Sequence, residues 1–421
     1  MKVIVAMDSF KGCLSSREAG NAAAEGIRQV WPEAEVIVRP LADGGEGTVA
    51  ALAEGLTERV TVTGPLGEPV VCEYGILGSG NMPGGGTRAD TSFQDNTCDN
   101  LLAVIECSGA CGLTHVPQER RNPMYTTTYG LGEVILDAAA KGCRRFLIGL
   151  GGSATNDGGA GMLQALGYRL TDTEGHDIGY GAAGLMRLAS IRRPETNPAS
   201  ATPATESMDL AHILSECTFR VACDVTNPLC GPLGCSAVFG PQKGARAEDI
   251  PVMDEALRRY AELVQAIRRA PDAMTSTPTA VASPEAPGSG AAGGLGFAFR
   301  AVLGAELVPG SQLVIEETKL EDYIADADLV ITGEGRLDAQ TAMGKAPAAV
   351  AALADAHGVP AIALAGSVTA EEDILRKMGF RAWYGINDRA ACDLATAMQP
   401  EVARRNMTET AVRAARDLGG V

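Results

Sequence analysis

The stretch GLGGSATNDGGAGML, Gly149–Leu163, contains six glycines and follows an apolar, strand-like run that ends at Leu150. Its polar side chains are small: Ser153, Thr155, Asn156 and Asp157. Glycine loses more conformational entropy on folding than other residues, so this many at one strand end require an explanation. A flexible linker is disfavoured, because apolar runs flank the stretch closely on both sides. Either a helix packs closely on a strand here, or backbone N–H groups at a helix start bind a phosphate.

Both ends of the chain alternate between strand-like and helix-like segments. Strands are predicted at Val3–Ala6, Glu35–Pro40, Arg59–Thr63, Asp328–Thr332, Ala361–Leu364 and Arg381–Ile386, and helices at Ser15–Val30 and Pro400–Leu418. This alternation is typical of a parallel α/β sheet. We therefore predict a parallel-sheet α/β domain of the Rossmann or flavodoxin-like kind, built from residues 1–66 and 297–421. Residues 67–296 are predicted to form an inserted second domain of mixed α/β structure.

Three tracts lack hydrophobic periodicity. Residues 78–100 are rich in Gly and Asn, whereas 193–207 and 271–290 are rich in Pro, Ser, Thr and Ala. Such compositions bury too little apolar surface to offset the entropy of ordering. We expect 193–207 and 271–290 to be mobile surface insertions without a catalytic role, whose shortening leaves turnover nearly unchanged.

The totals exclude several classes of protein. Lys plus Arg is 35 and Asp plus Glu is 52, a net charge of −17, which argues against nucleic acid or an acidic membrane as a partner. The N-terminus has no signal-peptide pattern, and no apolar run reaches about 18 residues. The eleven cysteines form no C-x-x-C pair and the four histidines are far apart, which disfavours a disulfide framework or zinc site. We expect a cytoplasmic protein and leave its oligomeric state open, a homo-oligomer included.

Five stretches place glycine beside charged or polar residues at predicted strand ends. They are Asp8–Gly12, Asp43–Thr48, Gly149–Leu163, Asp224–Pro228 and Thr332–Asp338. Each could be an ordinary turn, since Gly, Asp and Asn favour turns. Ligands of open α/β sheets bind outside the carboxyl ends of the strands, so five such stretches together favour a binding site.

Several residues in these stretches have two interpretations. Lys11 is either a solvated surface lysine or a point charge for a phosphate or carboxylate. Asp43 and Glu46 are either turn and helix-start acids or ligands of a hydroxyl-rich substrate or Mg²⁺. Asp224 is either a turn cap or a base. Lys243 lies in a second loop, Gly240–Gly244, for which the sequence suggests rigidity.

Two nucleotide-binding motifs were weighed. The chain lacks G-x-x-x-x-G-K-[ST], so it is not a P-loop enzyme. Gly149-x-Gly151-x-x-Ala154 matches a relaxed dinucleotide fingerprint, with Asp172 as the acidic residue. Asn156–Gly159 would then fall in the first turns of the required helix, where each residue is a poor helix former. The dinucleotide interpretation is therefore disfavoured.

Taken together, the motifs resemble those of the bacterial type I glycerate kinases. The resemblance rests on DSFKG (8–12), ADGGEGT (42–48), GGSATNDGGAGML (151–163), CDVTNPLCGP (223–232), FGPQKGA (239–245), GAAGGLG (290–296) and TGEGRLDAQTAMGKAP (332–347). These motifs span nearly the whole chain in order. Met7 and Cys13 stand where Pro and Ser are common in the family, and neither removes a reactive group.

The resemblance implies ATP-dependent phosphorylation of D-glycerate, with 2-phosphoglycerate favoured over 3-phosphoglycerate, in a cleft between two domains. ATP is then the co-substrate and Mg²⁺ the cofactor. A non-catalytic sensor of organic acids on the same scaffold is the alternative. We expect Asp224 as the general base, Lys11 as a catalytic charge, and Glu334 and Asp338 as Mg²⁺ ligands. The expected substrate- and phosphate-binding residues are Asp8, Ser9, Asp43, Glu46, Gly152, Ser153, Asn156, Asp157, Asn227, Lys243, Gly293 and Gly294.

Overall fold

The computed structural model describes residues 1–45, 47–53, 56–78, 101–194, 209–268, 282–388 and 393–419. The chain divides into two compact units. Unit 1 contains both chain ends, Met1–Glu54 and Pro309–Val421, and unit 2 contains Gly55–Asn81 and Asp90–Val308. These limits differ from the predicted ones, which lie after residue 66 and before residue 297. The predicted limits refer to independently folding domains, and as such they stay a prediction.

Unit 1 is built around a five-stranded parallel sheet. Its strands are β1 (Lys2–Met7), β2 (Glu35–Val38), β11 (Leu329–Gly333), β13 (Ala361–Ala365) and β15 (Phe380–Gly385), in the order β15-β13-β11-β1-β2. The predicted pairing of the two chain ends in one sheet is confirmed, because Val3 lies opposite Leu329 and Ala6 opposite Thr332. Counted along the sheet this is the flavodoxin-like order 2-1-3-4-5, which reverses direction between β1 and β11.

Helices cover this sheet. They are α1 (Ser16–Val30), α2 (Thr48–Leu52), α11 (Gly310–Glu317), α12 (Leu320–Ile324), α13 (Ala346–Ala356), α14 (Glu372–Lys377), α15 (Leu394–Ala397) and α16 (Pro400–Gly419). Ser15 and Glu18 form a reciprocal capping box that fixes the start of α1, close to the predicted helix start at Ser15. Gly26 lets α1 and α16 approach closely, because a Cβ there would lie 2.3 Å from the Thr408 carbonyl oxygen. A short parallel pair, β12 (Arg336–Leu337) and β14 (Ser367–Val368), completes the unit.

Unit 2 is built around a six-stranded mixed sheet. Its strands are β3 (Thr57–Thr63), β4 (Pro69–Leu77), β5 (Leu102–Glu106), β6 (Arg145–Gly149), β9 (Thr218–Ala222) and β10 (Glu306–Val308), in the order β10-β9-β6-β5-β4-β3. The assignment of Arg59–Thr63 to the terminal domain was wrong. β3 instead pairs antiparallel with β4, so that Thr63 lies opposite Pro69 across a tight turn. β4 also pairs antiparallel with β5, whereas β5-β6, β6-β9 and β9-β10 are parallel.

The other elements of unit 2 are mostly helical. They are α3 (Cys107–Cys111), α4 (Tyr129–Ala140), α5 (Ala160–Ala165), α6 (Gly181–Leu185), α7 (Leu210–Glu216), α8 (Cys235–Phe239), α9 (Asp249–Arg268) and α10 (Ala291–Val302), with an antiparallel pair formed by β7 (Arg169–Thr171) and β8 (Ser190–Arg192). Among the described helices, none is both long enough and apolar enough to span a bilayer.

Most of the two predicted insertions lies outside the described residues, which omit 195–208 and 269–281. Most of the Gly- and Asn-rich tract also lies outside them, because 79–100 are omitted. The described end of the third tract contradicts the expectation of a mobile surface loop. Ala282 and Ser289 are fully buried, and the Ser289 hydroxyl donates to the Ser283 carbonyl oxygen. This segment packs into unit 2, because Gly290 N–H donates to the Asn227 carbonyl oxygen.

Candidate active site

The first cluster of predicted site residues lies at the carboxyl ends of β1 and β11. Asp8 directly follows β1, and its N–H donates to the Gly333 carbonyl oxygen at 2.9 Å. The Asp8 side chain is buried and accepts a 2.6 Å hydrogen bond from the N–H of half-buried Ser9. Burial, and then the negative charge of Asp43, raises the pKa of Asp8 to about 7. Asp8 is therefore a carboxylate with a near-neutral pKa at the point where the strand order reverses.

Lys11 and Asp43 meet in unit 1, as their positions at two strand ends predicted. The Lys11 ammonium lies 3.3 Å from Asp43 Oδ2, and the lysine side chain is 66% exposed. Asp43 also accepts a hydrogen bond from Gly45 N–H through Oδ1, which is the predicted turn role. Asp43 thus supports the loop and balances Lys11 at the same time. Glu46, the other acid of this loop, lies outside the described residues.

Glu334 and Asp338, the predicted magnesium ligands, share Thr341 as a partner. Thr341 Oγ donates to Glu334 Oε1 at 2.7 Å, and Thr341 N–H donates to Asp338 Oδ1 at 3.3 Å. Burial raises the pKa of Glu334, and the hydrogen bond from Thr341 opposes that rise. In the described part of the chain, no group of three or more His, Cys, Asp or Glu side chains is arranged to hold a metal ion.

In unit 2, the helix start that the sequence predicted as a phosphate site holds a carboxylate of the protein itself. Asp157 is buried, and its oxygens accept hydrogen bonds from the N–H groups of Gly159 and Gly161 at the start of α5. The same carboxylate accepts bonds from the N–H and hydroxyl of Thr128. The role of Asp157 in orienting the substrate stays a prediction, and in this structure its oxygens are engaged in structural bonds. Burial raises the pKa of Asp157, and these hydrogen bonds oppose the rise.

The glycines that follow Asp157 serve close packing. A Cβ on Gly158 would lie 2.9 Å from the Tyr260 ring, and one on Gly159 would lie 2.6 Å from Ala298 Cβ. These contacts join the stretch to α9 and α10, which come about a hundred residues later. The packing interpretation therefore holds for this half of the stretch.

Gly293 and Gly294, predicted to bind phosphate, also pack against this stretch. Both have positive φ, 70° and 97°, which L side chains rarely adopt. A Cβ on Gly293 would lie 2.0 Å from the Thr155 carbonyl oxygen, and the Gly293 carbonyl accepts from Gly158 N–H. These contacts give the two glycines a packing role, and their assignment as phosphate ligands stays a prediction.

Lys243 is a buried cation of unit 2. Only 3% of it is exposed, and its ammonium donates to Ser153 Oγ at 2.8 Å and to the Thr155 carbonyl oxygen at 2.6 Å. Burial lowers the pKa of Lys243. Gly152, next to Ser153, is exposed and has φ +69°. The prediction that Lys243 and Ser153 belong to one site is thus supported by their direct contact.

Two polar atoms beside Lys243 are buried without a hydrogen-bond partner in the described residues. They are the Asn156 amide oxygen and the Thr155 hydroxyl oxygen. The Asn156 amide nitrogen donates to Ser236 Oγ at 2.9 Å. Buried polar groups are nearly always paired, so unpaired ones mark a place where water or a ligand would complete the bonding.

Asp224 and Asn227 lie in the loop after β9, as predicted. Asp224 is exposed, two residues beyond the last residue of the strand, Ala222. Asn227 is half-buried, and its amide nitrogen donates to the Leu233 carbonyl oxygen at 2.8 Å. That bond holds the turn behind Asp224, so Asn227 has a structural role here.

The dinucleotide alternative is excluded by the topology. Its acidic residue, Asp172, follows β7, which pairs with β8 outside the sheet that contains β6. Asp172 accepts from the Arg187 guanidinium at 2.6 Å. A dinucleotide fingerprint needs the acid at the end of a parallel strand beside β6, and the described neighbours of β6 are β5 and β9 rather than β7.

Sequence reasoning missed the threonines that organise both clusters. Thr128 ties Asp157 to the start of α4, and Thr341 ties Glu334 to Asp338. Thr341 lies in the TGEGRLDAQTAMGKAP motif, so its place near the acids was a usable signal. Thr128 lies in the run TTTY before a helix, far from any glycine-rich motif, and carried no such signal.

Comparisons with known proteins match the whole chain. A family model described as the glycerate kinase family matches residues 3–419. The chain is 41% identical to glycerate kinase of Bacillus subtilis (strain 168), over 99% of this chain and 97% of that protein. It is also 41% identical to glycerate 2-kinase of Escherichia coli (strain K12), over 92% of this chain and 90% of that protein. A crystal structure assigned as glycerate kinase 2 of Salmonella typhimurium LT2 has a TM-score of 0.79 and 42% sequence identity to this chain. The match covers 100% of this chain and 98% of that one.

Proposed function

The chain belongs to the glycerate kinase family, and on that premise we propose that it transfers the γ-phosphoryl group of ATP to D-glycerate. We propose 2-phosphoglycerate as the product, which the similarity to a relative named glycerate 2-kinase supports. Family membership favours the enzyme over the non-catalytic sensor. We further propose a cytoplasmic enzyme without nucleic acid or membrane as a partner, in keeping with the net charge of −17.

The observation that carries this proposal is the pair of carboxylates at the topological switch point of the unit 1 sheet. Asp8 follows β1 and Glu334 follows β11, the two strands between which the order reverses. Ligands of open α/β sheets bind at such a point, outside the carboxyl ends of the strands. Lys11 and Asp43 lie at the same end of the sheet. This set of charges suits a bound nucleotide and its metal ion.

Phosphoryl transfer requires positioning and charge stabilisation more than covalent chemistry. In this proposal Lys11 leaves Asp43 and neutralises negative charge on the transferring group. Mg²⁺ uses one or two carboxylates together with substrate phosphates, so the absence of a three-acid cage does not conflict with it. Glu334 and Asp338 would hold the ion, which when bound supplies positive charge to the phosphates.

The base in this proposal is Asp224. It accepts the proton of the glycerate hydroxyl as that oxygen bonds to phosphorus and the bond from phosphorus to ADP breaks. Its exposure and its position after β9 support this role. Asp157 is less suited as the base, because its oxygens already accept hydrogen bonds from backbone N–H groups and from Thr128. The proposal also requires that both units serve one reaction, and the predicted interdomain cleft stays a prediction.

A coupled ADP-release assay with D-glycerate, ATP and Mg²⁺ tests the function. We expect ADP release that depends on D-glycerate, and phosphorus NMR of the product should show 2-phosphoglycerate. Release without glycerate, or none at all, would contradict the proposal, and a 3-phosphoglycerate signal would correct the product.

Asp224→Asn tests the base. The amide keeps the shape and loses the basicity, so kcat should fall roughly 10²- to 10⁴-fold while ATP binding survives. Asp177→Asn, an exposed acid of unit 2 paired with Arg169, is the control and should keep wild-type kcat. Near-normal kcat in Asp224→Asn would exclude Asp224, and Asp43 would be tested next.

A further inference from the structure

Lys243 is a buried ammonium whose hydrogen-bond acceptors are both neutral. They are the Ser153 hydroxyl and the Thr155 carbonyl. Among the residues that the structure describes, no carboxylate lies within ion-pair distance of its nitrogen. Burying a cation without an anion is unfavourable, and proteins nearly always supply the missing charge. An anion beside the ammonium would offset this cost and hold the lysine in its charged form.

The nearest acid of unit 2 does not fill that role. The negative charge of Asp157 favours the charged form of Lys243, but the Asp157 oxygens bond to Thr128 and to the start of α5. The other groups facing the ammonium are the thiols of Cys235, Cys107 and Cys111, whose hydrogens point to backbone carbonyls. The side chains that the structure describes therefore leave the Lys243 charge without a direct carboxylate partner.

The Ser153 hydroxyl is oriented by this lysine. A protonated lysine can only donate, so Ser153 Oγ accepts from it and the hydroxyl hydrogen must point elsewhere. The described residues offer that hydrogen no acceptor. Ser153 is 5% exposed and follows Gly152, which is exposed. An anion reaching the surface at Gly152 would meet a hydroxyl donor backed by a buried positive charge.

We propose that Ser153 and Lys243 recognise the carboxylate of a small 2-hydroxy acid, with the Ser153 hydroxyl as donor and Lys243 as the buried counter-charge. This inference rests on the proposed function and says which group of which substrate the pair binds. Glycerol differs from glycerate in lacking the carboxylate, so the pair would also set the preference for an acid over a polyol. Charge-backed hydrogen bonds are about twice as strong as neutral ones, which makes such a preference large.

Direct binding without turnover tests the inference. D-glycerate is titrated into wild type, Ser153→Ala and Lys243→Met by calorimetry in the absence of ATP, and ATP is titrated in a second arm. Each variant should weaken D-glycerate binding roughly 10- to 100-fold, the scale of losing a hydrogen bond to a charged group. ATP binding should stay within about threefold of wild type. Ser289→Ala, a buried serine that bonds a backbone carbonyl, and Lys141→Met, a paired surface lysine, are the controls.

The outcomes separate the two proposals. If the variants weaken ATP and leave D-glycerate binding unchanged, the pair serves a phosphate and the inference is overturned. If both variants bind D-glycerate like wild type while wild type turns it over, the inference fails and the kinase function stands. If wild type binds D-glycerate in a Lys243-dependent way without any ADP release, the function fails and the inference stands.

Folding is controlled separately. Lys243→Met removes a buried charge and keeps a similar volume, so its thermal midpoint should equal or exceed that of wild type. Where Lys243→Met does not fold, Ser153→Ala and Ser153→Thr decide the matter. The threonine keeps a hydroxyl and should restore most of the affinity that alanine loses, and equal loss in both would overturn the inference.

Discussion

Replacing Asp8 by asparagine should stabilise unit 1, and more so as the pH rises. Burial and the neighbouring acids raise the pKa of Asp8 to about 7, against 3.8 for the unperturbed group. The folded protein therefore binds this proton more tightly than the unfolded chain does. The free energy of unfolding then falls as the pH rises from about 4 to about 7, whereas a neutral asparagine at this position would cause no such fall.

The magnitude follows from the two pKa values. Each tenfold difference in proton affinity is worth about 1.4 kcal/mol, so the charged carboxylate costs about 4 kcal/mol at pH 8.5. At pH 5 the folded state still holds the proton, and the cost is about 2 kcal/mol. Asp8→Asn should therefore gain about 2 kcal/mol at pH 5 and about 4 kcal/mol at pH 8.5, with Ser9 N–H still bonded to the amide oxygen.

Tryptophan fluorescence during urea unfolding measures the free energy of unfolding of unit 1, which contains Asp8. The chain has 2 tryptophans, and both Trp31 and Trp383 lie in unit 1, as Asp8 does. The experiment uses EDTA, so that no divalent ion masks the carboxylate. Asp373→Asn, an exposed acid of α14, should change the free energy of unfolding by less than about 0.5 kcal/mol at both pH values. An equal effect of Asp8→Asn at pH 5 and pH 8.5 would refute the reasoning.

Three further changes test the two clusters. Asp157→Asn should lower the free energy of unfolding by about 3 kcal/mol in thermal melts, because an amide nitrogen would face backbone N–H groups; an unchanged midpoint would contradict this. Gly293→Ala should lower the free energy of unfolding by about 2 to 4 kcal/mol, because φ is positive and the new Cβ would clash with Thr155. Gly358→Ala shares the positive φ but has no close neighbours, so it should cost only about 1 kcal/mol. Equal losses in the two variants would show that the clash relaxes. Lys11→Ala should lower kcat/KM roughly 10²-fold, and wild-type kinetics would show that Lys11 has no catalytic role.

The terminal half of the fold was predictable because its signals are local. The Ser15–Glu18 capping box and the alternation of strand and helix lie within short windows of sequence. The place of β3 was not predictable in that way. A strand's sheet is decided by its pairing partner, and β3 joins β4 through the turn at Gly64–Gly67. The exposed residues along β3 fit an antiparallel strand with one open face, a pattern that a fully buried parallel strand lacks.

The site was predictable in its residue types and less so in their roles. Glycine before a helix suits a phosphate loop and a crowded interface equally, since both need a backbone without a Cβ. What distinguishes them for Gly158 and Gly159 is contact with Tyr260 and Ala298, which the sequence separates from them by about a hundred residues. Asp157 shows a related ambiguity. A carboxylate at a helix start binds the same N–H groups that a phosphate would, so the protein's own acid can occupy the predicted anion site.

The two lysines of the clusters illustrate how an acidic protein can hold anions. Lys11 is 66% exposed and paired with Asp43, so water, salt and the neighbouring acid all weaken its field. Lys243 is buried beside neutral acceptors, where the effective dielectric constant is lower and screening by salt is slight. With a net charge of −17, attraction from a distance cannot concentrate an anionic substrate at this surface. We therefore expect recognition to come from a short-range, desolvated cation, such as the Lys243 ammonium in contact with Ser153.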